Sequence, residues 1–112
     1  MRTAEGTSWP IVLFAELVGA RAEEWRRALE DAHIIVLYEP SVLRAAVVVA
    51  AERPSVVVLA STIAAERTQA VRDAARDAGA EVLALPPDAP PDEVRMLVER
   101  RIANVKTRQH SR

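Results

Sequence analysis

Four short apolar runs recur along this chain, separated by stretches with helical spacing, and that alternation leaves few folds open. The first run is Ile11-Val12-Leu13-Phe14-Ala15, entered through Pro10, and the second is Ile34-Ile35-Val36-Leu37-Tyr38. The third is Val56-Val57-Val58-Leu59. The fourth, Glu81-Val82-Leu83-Ala84-Leu85, is weaker and is stopped by Pro86-Pro87. The first three are rich in β-branched residues, as expected of parallel strands buried on both faces.

Helical patterns fill the intervals. Residues 20–32 bring Trp25, Ala28, Leu29 and Ala32 to one side, with Glu23, Glu24, Arg26, Arg27 and Glu30 on the other. Residues 41–52 read as a second helix, N-capped by Ser41 and ended before Pro54. In residues 64–78, Val71, Ala74, Ala75 and Ala78 make a narrow small-residue face, and Gly79 suits the C′ stop. The last helix starts near Pro90-Pro91-Asp92-Glu93, where proline is tolerated and acids favour the positive end. Val94, Leu97, Val98, Ile102 and Val105 then line one face.

The order β-α-β-α-β-α-β-α requires parallel strands joined by right-handed crossovers. The expected fold is an α/β three-layer sandwich, with a four-stranded parallel sheet and helices on both faces. One domain over residues 10–105 accounts for the pattern, with residues 1–9 and 106–112 as flexible termini. A chain of 112 residues is long enough to bury roughly two-thirds of its unfolded surface.

Composition narrows the function classes. The formal net charge of −1 argues against bulk nucleic-acid binding, although residues 94–112 hold six basic side chains and one acid. Arg100, Arg101, Lys106 and Arg108 are the candidates for a DNA-associated role. They lack aromatic interleaving and a helix-turn-helix pattern. There is no cysteine, so disulfides, thiolate nucleophiles and thiolate metal sites are out. No apolar run reaches the ~18–20 residues of a membrane span, and the first ten residues lack a signal-peptide core. A cytoplasmic location without membrane contact is expected.

In open α/β folds the carboxyl ends of the strands carry the chemistry. Here the third strand runs into Ala60, Ser61 and Thr62, and the first into Glu16. Ser61 and Thr62 can aim hydroxyls and backbone N–H groups at an anion or cap the following helix; capping is the commoner role. Glu16 is the one carboxylate near that mouth. No Gly-x-Gly-x-x-Gly fingerprint is present. Neither His33 nor His110 has a partner at metal-ligand spacing, so neither metal nor cofactor is expected.

Several segments give the chain a family likeness. Arg27-Ala28-Leu29-Glu30-Asp31-Ala32-His33 is similar to the end of the first helix of bacterial response-regulator receiver domains. Glu52-Arg53-Pro54-Ser55 before Val56–Leu59 resembles that family's approach to its third strand. Ala78-Gly79-Ala80-Glu81 resembles its Ala-Gly-Ala-Asp before the last strand, and Pro87-Asp88 stands where a proline and an acidic helix start follow. The likeness spans roughly residues 10–103.

The departures from that pattern set the functional expectation. The resemblance aligns the family's phosphorylated aspartate with Ala60 and its lysine with Pro86. At the end of the first strand, Phe14-Ala15-Glu16-Leu17 offers one carboxylate where magnesium needs an acid cluster. Only about twenty residues, Ser61 to Ala80, separate the third strand from the last, so the resemblance implies that one βα unit is missing and that the sheet is flavodoxin- or receiver-like, with four strands in the order 2-1-3-4. The resemblance therefore implies a shortened pseudo-receiver, non-enzymatic and independent of phosphorylation, that signals by protein–protein contact or homodimerisation. The alternative is a small-anion or nucleotide-binding domain using Glu16, Ser61 and Thr62.

The second helix is where an interface is expected. Leu43, Ala46, Val47 and Ala50 form a stripe suited to packing on the sheet, which leaves Val42, Val48 and Val49 on the outside. Leu97 and Arg101 on the last helix are weaker candidates, supported by the dimer contacts of ordinary receivers. The last strand is a further candidate, as an open edge for pairing.

Overall fold

The computed structural model, which describes residues 9–17 and 19–110, puts a strand at each apolar run. These are β1 (Ile11–Ala15), β2 (Ile35–Glu39), β3 (Val56–Ala60) and β4 (Glu81–Leu85). They alternate with α1 (Ala20–Asp31), α2 (Val42–Glu52), α3 (Ala65–Ala78) and α4 (Pro91–His110). All pairings are parallel and the sheet order is β2-β1-β3-β4. The expected α/β sandwich and strand order are both found.

Period-two alternation splits the sheet into two cores. Val12, Phe14, Val56 and Val58 point to the face covered by α1 and α4, where Trp25, Leu29, Val94 and Val98 are buried. Leu13, Ala15, Val57 and Leu59 point the other way, against Val42, Ala45 and Val49 of α2 and Val71 and Ala75 of α3. Both faces of β1 and β3 are covered, which is why their sequences run apolar without a break. Trp25 meets Phe14 edge to face at 6.4 Å, and its Nε1–H donates to the Ala89 carbonyl at 2.9 Å. That bond ties α1 to the loop before α4.

The helix ends follow backbone chemistry. Gly79 closes α3 in the left-handed region at φ 77°, where a side chain is disfavoured. Arg53 takes the same conformation after α2 at φ 51°, without glycine's freedom. The N-cap of α3 is Ala64, with no side-chain cap bond. Ser61 and Thr62 are exposed turn residues ahead of it and do not perform the capping expected of them.

Three further expectations change. The facing of α2 is reversed: Val42 and Val49 are 0% exposed, and Val48 packs against the core between α2 and α3. Leu43 and Val47 point to solvent, at 60% and 72% exposure. Both stripes have helical spacing, so the pattern alone is degenerate. The structure buries the one whose valines interlock with Leu13, Val57 and Leu59. Val42 and Val49 are therefore core residues, not an interface, and Val48 is partly buried against the same core.

The terminus differs as well. α4 continues through residues 106–110, because Arg108 reaches back to the Glu81 carboxylate and donates to the Gly79 carbonyl at 3.1 Å. The expectations for residues 1–8 and 111–112, and for the His110 side chain, lie outside the described residues. Finally, the edge of β4 is engaged at one point. Glu81 N–H bonds inward to Ser55, which turns the Val82 carbonyl outward, and Arg101 donates to that carbonyl at 3.0 Å.

Candidate functional site

The carboxyl ends of β1 and β3 and the loop after β4 meet at a cleft of about 180 Å³, lined by Glu16, Leu17, Arg21, Ala22, Trp25, Ala60 and Pro87. Chain topology assembles it, because parallel strands deliver their ends to one side of the sheet. Glu16 and Ala60, widely separated in sequence, face the same space. Ser61 and Thr62 are not in the lining. Small-molecule sites run to roughly 300–1,000 Å³, so the cleft is undersized for a nucleotide. Its walls are mostly apolar, and its acid is Glu16.

Glu16 is already engaged. It sits just past β1 in the left-handed region at φ 59°, and its N–H donates to the Glu39 carbonyl at 2.7 Å. Its carboxylate takes a bidentate pair from the Arg67 guanidinium at 2.8 and 2.9 Å. Oε1 also accepts the Val42 N–H at 3.1 Å. The Arg67 hydrogen bonds foremost, with the Val42 N–H second, hold the carboxyl below its usual range. A neighbouring acid completes the arrangement, since Glu39 accepts the Ser41 N–H at 3.0 Å. Two carboxylates thus receive the first free N–H groups of α2, where the helix dipole favours negative charge. Ser41 is the N-cap as expected, without a side-chain cap bond.

Arg67 was not among the sequence candidates, and it makes the longest-range ion pair of the site. One local signal marks it. It lies in the first turn of α3, where a cation opposes the dipole, so a distant acid is the natural explanation. This Glu16–Arg67 pair fastens the end of β1 to α3 and, through Val42, to α2. Chemically it is a clamp: both carboxylate oxygens are occupied, and the guanidinium compensates the charge. Among the described residues no group of three or more His, Cys, Asp or Glu side chains could hold a metal ion.

The other candidates are scattered. Leu97 packs against the core under α1 and α4. Arg101 bonds Glu81 and the Val82 carbonyl, and Arg108 shares the same carboxylate. Both basic residues therefore serve the fold at the β4 edge. Arg100 and Lys106 are exposed but six residues apart, about 120° around the helix, so the four do not form one basic face. His33 lies in a turn at φ 65° and stacks on Trp9 with ring centres 4.9 Å apart.

The large apolar side chains exposed to solvent are dispersed. Leu43 and Val47 stand on the solvent side of α2, Met96 on α4, and Trp9 ahead of β1. On β2, Ile35 is 40% exposed and Tyr38 41%. Tyr38 donates its hydroxyl to Glu23 at 3.3 Å, and burial of its ring, with the Glu23 charge, raises its pKa.

No family model matches the chain, and no curated protein sequence matches it. Among solved structures, the chain is similar to a de novo designed Rossmann-fold protein, with a TM-score of 0.58 and 18% sequence identity. The match covers 83% of this chain and 96% of the designed one. At that identity the likeness shows the fold, and the doubly wound α/β architecture is common to both. No helix among the described residues is long and apolar enough to cross a membrane.

Proposed function

We propose that this chain is a shortened, receiver-like signalling module of the bacterial cytoplasm that acts by protein–protein contact, without catalysis and without phosphorylation. The observation that carries the reading is the division of surface. The strand-end carboxylate is spent on a structural clamp with Arg67, while Leu43, Val47, Ile35 and Tyr38 stand apolar and exposed. A transferring site needs a free nucleophile and a place for developing charge. Ala60 contributes only a methyl group to the cleft.

The test is incubation with acetyl phosphate and magnesium, followed by intact mass. No phosphoryl adduct is expected. A stable aspartyl adduct would overturn the proposal, because it would require an acceptor that works without the usual acid cluster.

A further inference from the structure

A second cavity, of about 510 Å³, lies at the opposite end of the sheet from the Glu16 cleft, where α3 ends and β4 begins. Its volume falls inside the range of small-molecule sites, roughly 300–1,000 Å³. Ala75, Ala80 and Val82 supply its apolar lining. Ala75 is fully buried, and the other two are partly buried against the core beneath α2 and α3. The charged lining is Arg72, Arg76, Arg108 and Glu81.

The balance of that lining is positive, with three guanidiniums to one carboxylate. Glu81 is moreover shared, since Arg101 bonds it at 3.3 Å and Arg108 pairs with it as well. Arg76 meets Asp73 at 3.0 Å through one terminal nitrogen. Arg72 pairs with no acid among the described residues. Its Nε donates to the Thr68 hydroxyl at 3.1 Å, which fixes the group and leaves both terminal nitrogens to the cavity. A helix end ordinarily repels anions through its last carbonyls. Here those carbonyls are taken: Ala75 accepts the Ala80 N–H at 2.8 Å, Arg76 the Gly79 N–H at 3.2 Å, and Gly79 the Arg108 guanidinium at 3.1 Å.

We propose that this cavity binds a small organic phosphate monoester, with the phosphoryl oxygens on Arg72 and Arg76 and the apolar body against Ala75, Ala80 and Val82. The site goes beyond the interaction reading and does not depend on it. A phosphate monoester carries a charge of about −1.5 to −2 at neutral pH, which matches the excess of the lining. Guanidinium forks suit phosphate oxygens. Arg72 and Arg76 are four residues apart and so stand on one side of α3, which favours one compact dianion over two separated carboxylates. No aromatic residue lines the cavity, so the body is a plain apolar group and not a stacked base.

The test is a residue-resolved NMR titration at low salt with phenyl phosphate, which joins a dianion to an apolar ring. Inorganic phosphate, phenol and phthalate are the comparison probes. Phenyl phosphate should shift the Ala75, Gly79, Ala80 and Val82 amides saturably, ahead of all three. Arg72→Gln should weaken binding about tenfold, the cost of losing a charge-assisted bond. The Arg72→Gln/Arg76→Gln double variant should lose saturation altogether. Both positions are exposed, so the folded spectrum is expected to persist. Arg44→Gln, at an exposed arginine of α2 outside the lining, should bind as wild type does.

No saturable shift with phenyl phosphate overturns the proposal. Shifts centred on Trp25 and Ala60 overturn it too, because the ligand would then sit in the other cleft. Equal weakening by Arg44→Gln reduces the binding to diffuse charge attraction. Phenol, inorganic phosphate or phthalate binding as tightly as phenyl phosphate is equally fatal, since the site requires a single dianion and an apolar body together.

Discussion

Glu16 shows how a carboxylate at a strand's end can serve as a fastening. Its oxygens are filled by Arg67 and the Val42 N–H. Its folded pKa lies below the ordinary value of 4.5, so the linkage has a definite sign. The contribution is present above the unfolded pKa, and it is lost as pH falls from about 4.5 through the lower folded value. Thermal melts between neutral pH and pH ~3 should show wild type losing stability across this acid range. Glu16→Gln should start lower at neutral pH and fall less steeply. Equal slopes in the two proteins would remove the clamp. Arg53 supplies a second residue-scale prediction. Its left-handed backbone at φ 51° suits glycine, so Arg53→Gly should raise stability by about 0.5–1 kcal/mol in urea titration. Of these features, the αL strain and the ion pair were not legible in the sequence. Nothing near Glu16 in sequence announces Arg67, beyond a cation placed against a helix dipole.

At the scale of elements, the boundaries of the strands and helices were readable because each local signal agreed with its neighbours. Pro10 and Pro86 bracket β1 and β4, Gly79 ends α3, and the spacing of Trp25, Leu29, Val94 and Val98 marks the buried faces of α1 and α4. α2 is the exception. Its sequence Val-Leu-Arg-Ala-Ala-Val-Val-Val-Ala-Ala-Glu carries two apolar stripes of equal quality, and periodicity has no means of choosing between them. Packing chose Val42, Ala45 and Val49. This facing predicts a sharp contrast: Val49→Ala should cost about 2 kcal/mol by loss of buried methyl groups and the cavity left behind. Val47→Ala should stay within about 0.5 kcal/mol in the monomer. Urea midpoints at low protein concentration measure both, and the reverse order would put the other stripe on the sheet.

For the whole molecule, the consequence is a sheet with two bonded inner strands and two edge strands. Hydrogen exchange followed residue by residue should find the amides of β1 and β3 protected by global stability, since both strands are bonded on both sides. The outward amides of Val36 and Tyr38 should exchange faster than the inward amide of Leu37. Equal protection of the three would contradict this register. The sequence by itself determined the α/β class and most helix faces, because alternation, turn chemistry and apolar spacing are local properties that survive without a partner. Only the tertiary structure decided which stripe of α2 is buried, that Arg67 occupies Glu16, and that Arg101 takes the Val82 carbonyl. Each of these depends on which distant side chains meet, and a one-dimensional pattern does not encode distance.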